Sequence, residues 1–244
     1  MTAPSAFGAA YQSIYNALCG SAPSPCPWHF QWLATCDLHR DLRGLLLNLG
    51  GDVLDLGCGA KPYQSWFSPS VCSYTGADVS GEGVDVLIEP DAPLPFADNS
   101  FDTLLCTQVL EHVRDLGLIV GEIARVLRPG GALVASAPFL YNLHGAPHDY
   151  RRFTEFGLRA LFETDFDIVD LRRQGKVGST GGQMLLNFVE TSLNQRRATR
   201  LLKALLLPVW ILFSTSVNLA ARGVDLLDGT GHFSHNMLLV GRRK

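Results

Sequence analysis

No two cysteines in this 244-residue chain stand in a C-x-x-C pair. The six cysteines, at positions 19, 26, 36, 58, 72 and 106, are scattered. That pattern argues against a disulfide frame and for reduced thiols in a cytoplasmic protein. Cys26, His29, Cys36 and His39 lie near one another, but their spacing matches none of the usual zinc patterns, so no metal is expected. A formal net charge of −3 and a pI near 6.1 lack the cationic footprint of a nucleic-acid binder. The N-terminus does not pair a basic region with a long apolar core, so no secretory signal is expected.

What is present suits one substantial α/β domain, since 47% of the residues are hydrophobic. Its focus is Val53-Leu54-Asp55-Leu56-Gly57-Cys58-Gly59-Ala60-Lys61-Pro62-Tyr63, where a short apolar run meets an acid and two glycines. Val53, Leu54 and Leu56 suit a buried parallel strand, and the glycines permit positive φ and close approach to a ligand. Pro62 fits the first turn of a following helix, but it occupies the place where a dinucleotide fingerprint needs its third glycine. Asp55 is badly placed for a pyrophosphate and well placed for an ammonium, reached directly or through water, with the turn's N–H groups at a helix N-terminus facing a carboxylate.

Asp55-Leu56-Gly57-Cys58-Gly59 resembles the first motif of the class I S-adenosylmethionine-dependent methyltransferases, in particular their small-molecule, type 11-like branch. The resemblance implies S-adenosylmethionine as cofactor, held at Asp55, Gly57, Cys58 and Gly59. It also implies a doubly wound seven-stranded, mostly parallel sheet of the Rossmann-like methyltransferase type. Asp78 ends a strand-like run from Val71 and suits the two ribose hydroxyls. Only Val79 to Gly83 separate it from Val84–Ile88, too few for a helical crossover, so the third strand is expected to be short or irregular. Asp91-Ala92-Pro93-Leu94-Pro95-Phe96 resembles the family's adenine-side segment, with Asp91 preferred over Glu89 and Ala92 beside it. Gln108-Val109-Leu110-Glu111-His112-Val113 resembles the next motif, with Gln108 at the methionine end and His112 expected in a structural hydrogen bond.

Leu116, Ile119, Ile123, Val126 and Leu127 recur at helical spacing and stop at Arg128-Pro129-Gly130-Gly131. Strands are expected over Thr103–Thr107, Ala132–Ser136, Phe166–Leu171 and Asn236–Arg242, with the last two pairing at the sheet edge. The loop Pro138–Phe153 leaves the fifth strand beside the implied cofactor, and Thr154 reads as the N-cap of a helix between Phe153 and Leu158. Methyl transfer is an in-line displacement that needs positioning and, for a hydroxyl nucleophile, a base. His148 beside Asp149 is the first candidate and His144 the second; the competing reading is that His148 and Asp149 only brace the loop. Arg151 and Arg152 suit a substrate phosphate or carboxylate, or the surface.

The chain is divided as an N-terminal helical cap (1–50), a core (51–175 and 235–244) and a helical insertion (176–234) in the same domain. The cap reads as helices over residues 6–18 and 32–49 around Pro23, Pro25 and Pro27, serving as a cofactor lid or as packing at the sheet edge. The insertion opens with a flexible, glycine-rich stretch from Gly175 to Gly182, and a helix is expected over Met184–Leu193. Ala204 to Ala221 then pass without a charge, flanked by Arg196, Arg197, Arg200, Lys203 and Arg222. With Pro208 inside and a strand still to return to the sheet, this is no transmembrane span. Two roles stand: a buried or homodimer-forming cap through 181–222, or a peripheral contact with the inner membrane surface that draws a lipid-linked substrate.

The expected acceptor is a small molecule, a sugar or a lipid-linked glycan, methylated at a hydroxyl, with no nucleic acid. Neither the [DN]-P-P-[YF] motif of amino-methylating DNA enzymes nor a Pro-Cys nucleophile follows the fourth strand. The rivals are a catalytically inactive cofactor-binding partner subunit and, more distantly, a nicotinamide-dependent oxidoreductase.

Overall fold

The computed structural model describes residues 6–19 and 26–244, so Pro23 and Pro25 lie outside the described residues. Two compact units are present: Met1–His39 with Gly175–Ser234, and Arg40–Gln174 with His235–Lys244. The division falls at residue 39 rather than 50, and the N-terminal segment and the insertion make one unit.

The second unit carries the sheet. Its strands are β1 (Gly51–Leu56), β2 (Val71–Asp78), β3 (Val86–Leu87), β4 (Phe101–Thr107), β5 (Leu127–Pro138), β6 (Phe166–Gln174) and β7 (Asn236–Arg243). They lie in the order β3-β2-β1-β4-β5-β7-β6, the first five parallel and β7 antiparallel to both neighbours. Burial on both faces explains the apolar runs, for Val53, Leu54, Leu104, Leu105, Leu133 and Val134 are all fully buried. The third strand is two residues long, in keeping with its short crossover. α3 (Leu116–Val126) packs Ile119, Ile123 and Val126 into the core, and α4 (Glu155–Phe162) is capped by Thr154, whose Oγ1 accepts from the Gly157 N–H at 3.1 Å.

The helix expected after the glycine turn is not there. Lys61 takes a left-handed conformation (φ 55°), and the segment makes only a 3-10 turn at Gln64–Trp66. Tyr63 and Trp66 pack ring to ring at 5.0 Å, and the Arg43 guanidinium lies over Trp66, so aromatic contacts replace helical ones. Among the described residues no α-helix starts between β1 and β2.

The first unit is helical: α1 (Ala6–Cys19), the start of α2 (Trp32–Leu46, which continues into the second unit), α5 (Val177–Gln195), α6 (Arg197–Leu205) and α7 (Leu207–Asp225). Residues 177–182, expected to be flexible, are the first turns of α5. Their glycines let helices touch: a Cβ on Gly178 would stand 2.1 Å from the Ala221 carbonyl oxygen, and one on Gly182 would stand 2.8 Å from the Ala221 Cβ. Tyr15, Leu186, Leu207 and Trp210 form this unit's own core.

Candidate active site

β1 has β2 on one side and β4 on the other, so the chain reverses its direction of winding at the carboxyl end of β1. That is where open α/β sheets bind ligands. A cavity of about 440 Å³ opens there, lined among others by Leu56, Gly57, Asp78, Glu89, Asp91, Ala92, Gln108, His112, His148 and Tyr150.

Local backbone builds it. Gly57 has φ 74°, and a Cβ there would meet Val109 Cγ2 at 2.2 Å; Gly59 has φ 49° and open space where a side chain would be. At Gly57 the contact excludes any side chain, whereas at Gly59 only the positive φ favours glycine; Gly57 presents bare backbone to the cavity. Asp78 accepts from the Gly59 N–H at 2.9 Å through Oδ2 and from the Val79 N–H at 2.7 Å through Oδ1. Each carboxylate oxygen has a second lone pair to offer a hydroxyl.

Asp91 and Gln108 also have positive φ, 54° and 56°. Asp91 Oδ1 accepts from the N–H groups of Arg114 and Asp115 at 3.2 and 3.1 Å. Arg125 holds the rest of that loop, donating to the carbonyls of Leu94 (3.0 Å) and Phe96 (2.7 Å) while paired with Glu122 and Asp98. Gln108 donates to Ser136 Oγ at 3.1 Å and Asn236 Oδ1 at 2.9 Å. Asn236 donates in turn to Gln174, and Gln174 to Asp41. This polar chain fixes the Gln108 side chain. No local pattern in the sequence reveals it, because its members come from five distant segments.

Asp55 and Cys58 stand behind the turn. Asp55 is 1% exposed and does not line the cavity; its Oδ2 accepts from the Tyr74 hydroxyl, and burial pushes its pKa up to about 6. The buried Cys58 thiol is pushed up to about 11 and donates to the Gly59 carbonyl at 3.6 Å. Gly57 meets the cavity, Gly59 faces open space, and the acid is bonded to Tyr74 of the neighbouring strand rather than to the turn.

The loop after β5 is tied down by its arginines. Arg152 pairs with both oxygens of Asp149 and donates to the carbonyls of Tyr141 (3.1 Å) and Asn142 (2.8 Å). Arg151 donates to the carbonyls of Val113 (2.7 Å) and Arg114 (3.1 Å). Arg152 is spent within the loop, and Arg151 ties it to the segment after the 3-10 turn at Leu110–His112. Asp149 also accepts from the His144 N–H at 2.8 Å, and Arg152 holds its carboxyl well below the usual range. Asp149 therefore does not pair with His148. The His148 Nδ1 faces the Tyr150 hydroxyl at 3.0 Å instead, and of the three residues expected for catalysis only His148 lines the cavity. His112 Nδ1 meets the His148 carbonyl, the structural bond expected of it. His144 lies behind, its Nε2 3.6 Å from Glu111 Oε1, and the facing carboxylate raises its pKa. Among the described residues Cys26, His29, Cys36 and His39 do not converge on one point.

The family model described as a methyltransferase domain matches residues 54–135. Methyltransferase GfsG of Streptomyces halstedii is 33% identical over 104 residues, covering 36% of this chain and 37% of that protein. The 27-O-demethylrifamycin SV methyltransferase of Amycolatopsis mediterranei is 34% identical over 144 residues, covering 51% and 53%. The chain thus spans about two fifths to one half of the length of these relatives. The crystal structure of the [4+2]-cyclase SpnF superposes with a TM-score of 0.57 over 97% of this chain and 95% of that one, at 21% identity, which shows a shared fold.

Proposed function

We propose that this chain, which belongs to the class I S-adenosylmethionine-dependent methyltransferases, moves a methyl group to a hydroxyl of a small-molecule, sugar or lipid-linked acceptor. The observation that carries the reading is the position of His148. It shares one cavity with Gly57, Asp78, Asp91 and Gln108, so acceptor chemistry and cofactor recognition meet in one space.

When bound, the cofactor supplies a methyl on a sulfonium. The chain's own residues do the rest. Asp78 takes the ribose hydroxyls, the 91–92 segment borders the adenine, and Gln108, locked by Ser136 and Asn236, meets the methionine end. His148 accepts the proton of the acceptor hydroxyl as the oxygen attacks, and Tyr150 orients the ring. Asp149 and Arg152 act on the ring only through the loop they brace. An inactive partner subunit would not need an imidazole and a tyrosine hydroxyl in the cavity. A nicotinamide enzyme is disfavoured by Pro62, which stands where the dinucleotide fingerprint needs its third glycine, and by Asp55, an acid badly placed for a pyrophosphate.

The acceptor is supplied, on this reading, from the cytoplasmic face of a membrane, which the helical unit touches peripherally. No nucleic acid is involved. The test is calorimetry with S-adenosylmethionine and with NAD, followed by transfer of labelled methyl into a fractionated lysate. Binding of the first alone, label in the lipid or sugar fraction, and a turnover lowered roughly 10²-fold or more by His148→Ala are expected. Binding of NAD alone would sink the reading, and full turnover in the variant would remove His148 as base.

A further inference from the structure

We infer that Glu111, His112 and His144 form a binding site for one divalent transition-metal ion, of the Zn(II) class, in the wall of the cavity. Glu111 and His112 lie in the 3-10 turn Leu110–His112 after β4, and His144 lies in the loop after β5. The fold brings their three ligand atoms within 4.8 Å of one another.

Glu111 is the reason to look. Its side chain is fully buried, and neither carboxylate oxygen has a hydrogen-bond partner. A buried carboxylate left without donors costs more than a folded protein usually carries, so something cationic belongs beside it. Nε2 of His144 lies 3.6 Å and Nε2 of His112 3.8 Å from Oε1, both too far for hydrogen bonds.

The other ring nitrogens decide what those two present. His112 Nδ1 meets the His148 carbonyl, and His144 Nδ1 lies 3.3 Å from the Asn142 carbonyl and 3.5 Å from Asp149 Oδ2. Oxygens of this kind only accept, so each Nδ1 carries a proton. In a neutral ring each Nε2 then offers a lone pair. Two imidazole lone pairs and an unpartnered carboxylate converging on one point repel one another unless a cation sits between them. A proton on His144 Nε2, which the facing carboxylate favours, is the competing cation, and a metal ion would displace it on binding; protonating both rings would set two imidazolium groups edge to face, 4.8 Å between centroids. Bracing of Nδ1 by a carbonyl or carboxylate behind the ring is also what metal-binding histidines use to fix tautomer and direction.

Two imidazoles and one carboxylate suit Zn(II) and its first-row neighbours rather than Mg(II) or Ca(II). Tetrahedral bonds of about 2.0–2.1 Å would draw the ligand atoms to roughly 3.3 Å apart, so the two histidine nitrogens close on Oε1 from 3.6 and 3.8 Å, and no pair starts more than 4.8 Å apart. A fourth position is left for an outside oxygen, and His112 lines the cavity. Binding of the ion stands apart from methyl transfer. Its use, to make a coordinated acceptor hydroxyl more acidic before His148 takes the proton, rests on the reading above.

The test uses the full chain stripped with a chelator and titrated with zinc chloride against a competing chromophoric chelator near pH 7.5. One ion per chain is expected, with affinity lowered roughly tenfold or more in His112→Ala, His144→Ala and Glu111→Gln, and unchanged in Cys72→Ser, which alters an exposed thiol. Wild-type protein gives a second readout that does not require the variants to fold: zinc should move the ring resonances of His112 and His144 and leave those of His29 and His232 in place. Absence of stoichiometric binding, binding indifferent to all three variants, or shifts at His29 instead would overturn the inference. Methyl transfer by metal-free protein would leave the proposed function standing and remove the metal's role in it.

Discussion

Gly59 donates its backbone N–H to Oδ2 of Asp78 at 2.9 Å, joining the glycine turn to the end of the neighbouring strand. The same residue lines the cavity, so one carboxylate both sets the turn and borders the cavity. Asp78→Ala is expected to weaken S-adenosylmethionine binding roughly 10- to 100-fold by calorimetry, the worth of one or two hydrogen bonds to a charged group. Unchanged affinity would show that the ribose is held elsewhere.

Asp55 predicts a pH dependence of stability. Burial raises its pKa from 3.8 to about 6, so below ~pH 4 folded and unfolded chains both hold it protonated. Between ~pH 4 and ~pH 6 the unfolded chain gives up its proton first, and stability falls as the pH rises. Above ~pH 6 the full cost, about 3 kcal/mol, remains. Asn at this position is neutral and can still accept from the Tyr74 hydroxyl. Asp55→Asn should therefore be more stable than the parent by about 1–3 kcal/mol at pH 8 and nearly equal at pH 4. Urea denaturation at the two pH values decides it, and an equal gain at both would contradict the assignment.

These two acids also show what the sequence reveals. The positions of the strands and of Asp78 follow from apolar runs ending in an acid or a glycine turn, which are local signals, whereas the seven-stranded sheet was implied by the resemblance and its order is a matter of long-range pairing. Asp55 was legible as important but not in its role, because its partner Tyr74 comes from another strand. The same limit hid the chain from Gln108 to Asp41 and the convergence of His144 on Glu111, which exist only once β4 and β5 are paired. Pro62 and the glycines of 175–182 misled in opposite directions. Aromatic packing left a 3-10 turn where a helix was expected, and close helix contact made a helix of what composition reads as flexible.

That contact is testable in α5. A Cβ on Gly178 would lie 2.1 Å from the Ala221 backbone oxygen, which cannot turn aside, whereas one on Gly181 meets nothing within 4 Å. Gly178→Ala should cost about 2–4 kcal/mol, the penalty of forcing packed elements apart. Gly181→Ala should be neutral or gain up to about 1 kcal/mol from helix propensity. Thermal melts of the pair separate close packing from propensity, and equal effects would refute the account.

α7 is amphipathic in an unusual sense. Its buried face includes Trp210, Ser214, Asn218 and Ala221, with Asn218 donating to the carbonyls of Pro27 and His29. Its exposed face carries Val209, Leu212, Phe213 and Leu219, and Leu205, Leu226 and Leu227 extend the apolar surface at its ends. Of the described helices it is the one long and apolar enough to cross a bilayer, yet β7 follows it and pairs with β5, so a contact lying in the interface is the physical alternative. Exposed Arg196, Arg197 and Arg200 precede α7 and would favour anionic headgroups. Flotation with phosphatidylglycerol vesicles should carry the protein upward, and Leu212→Asp with Leu219→Asp should lower the floated fraction roughly tenfold while thermal stability is kept, because both side chains face solvent. If the protein stays at the bottom of the gradient and sediments as a dimer that the same variants dissociate, the apolar face meets a second copy rather than a membrane.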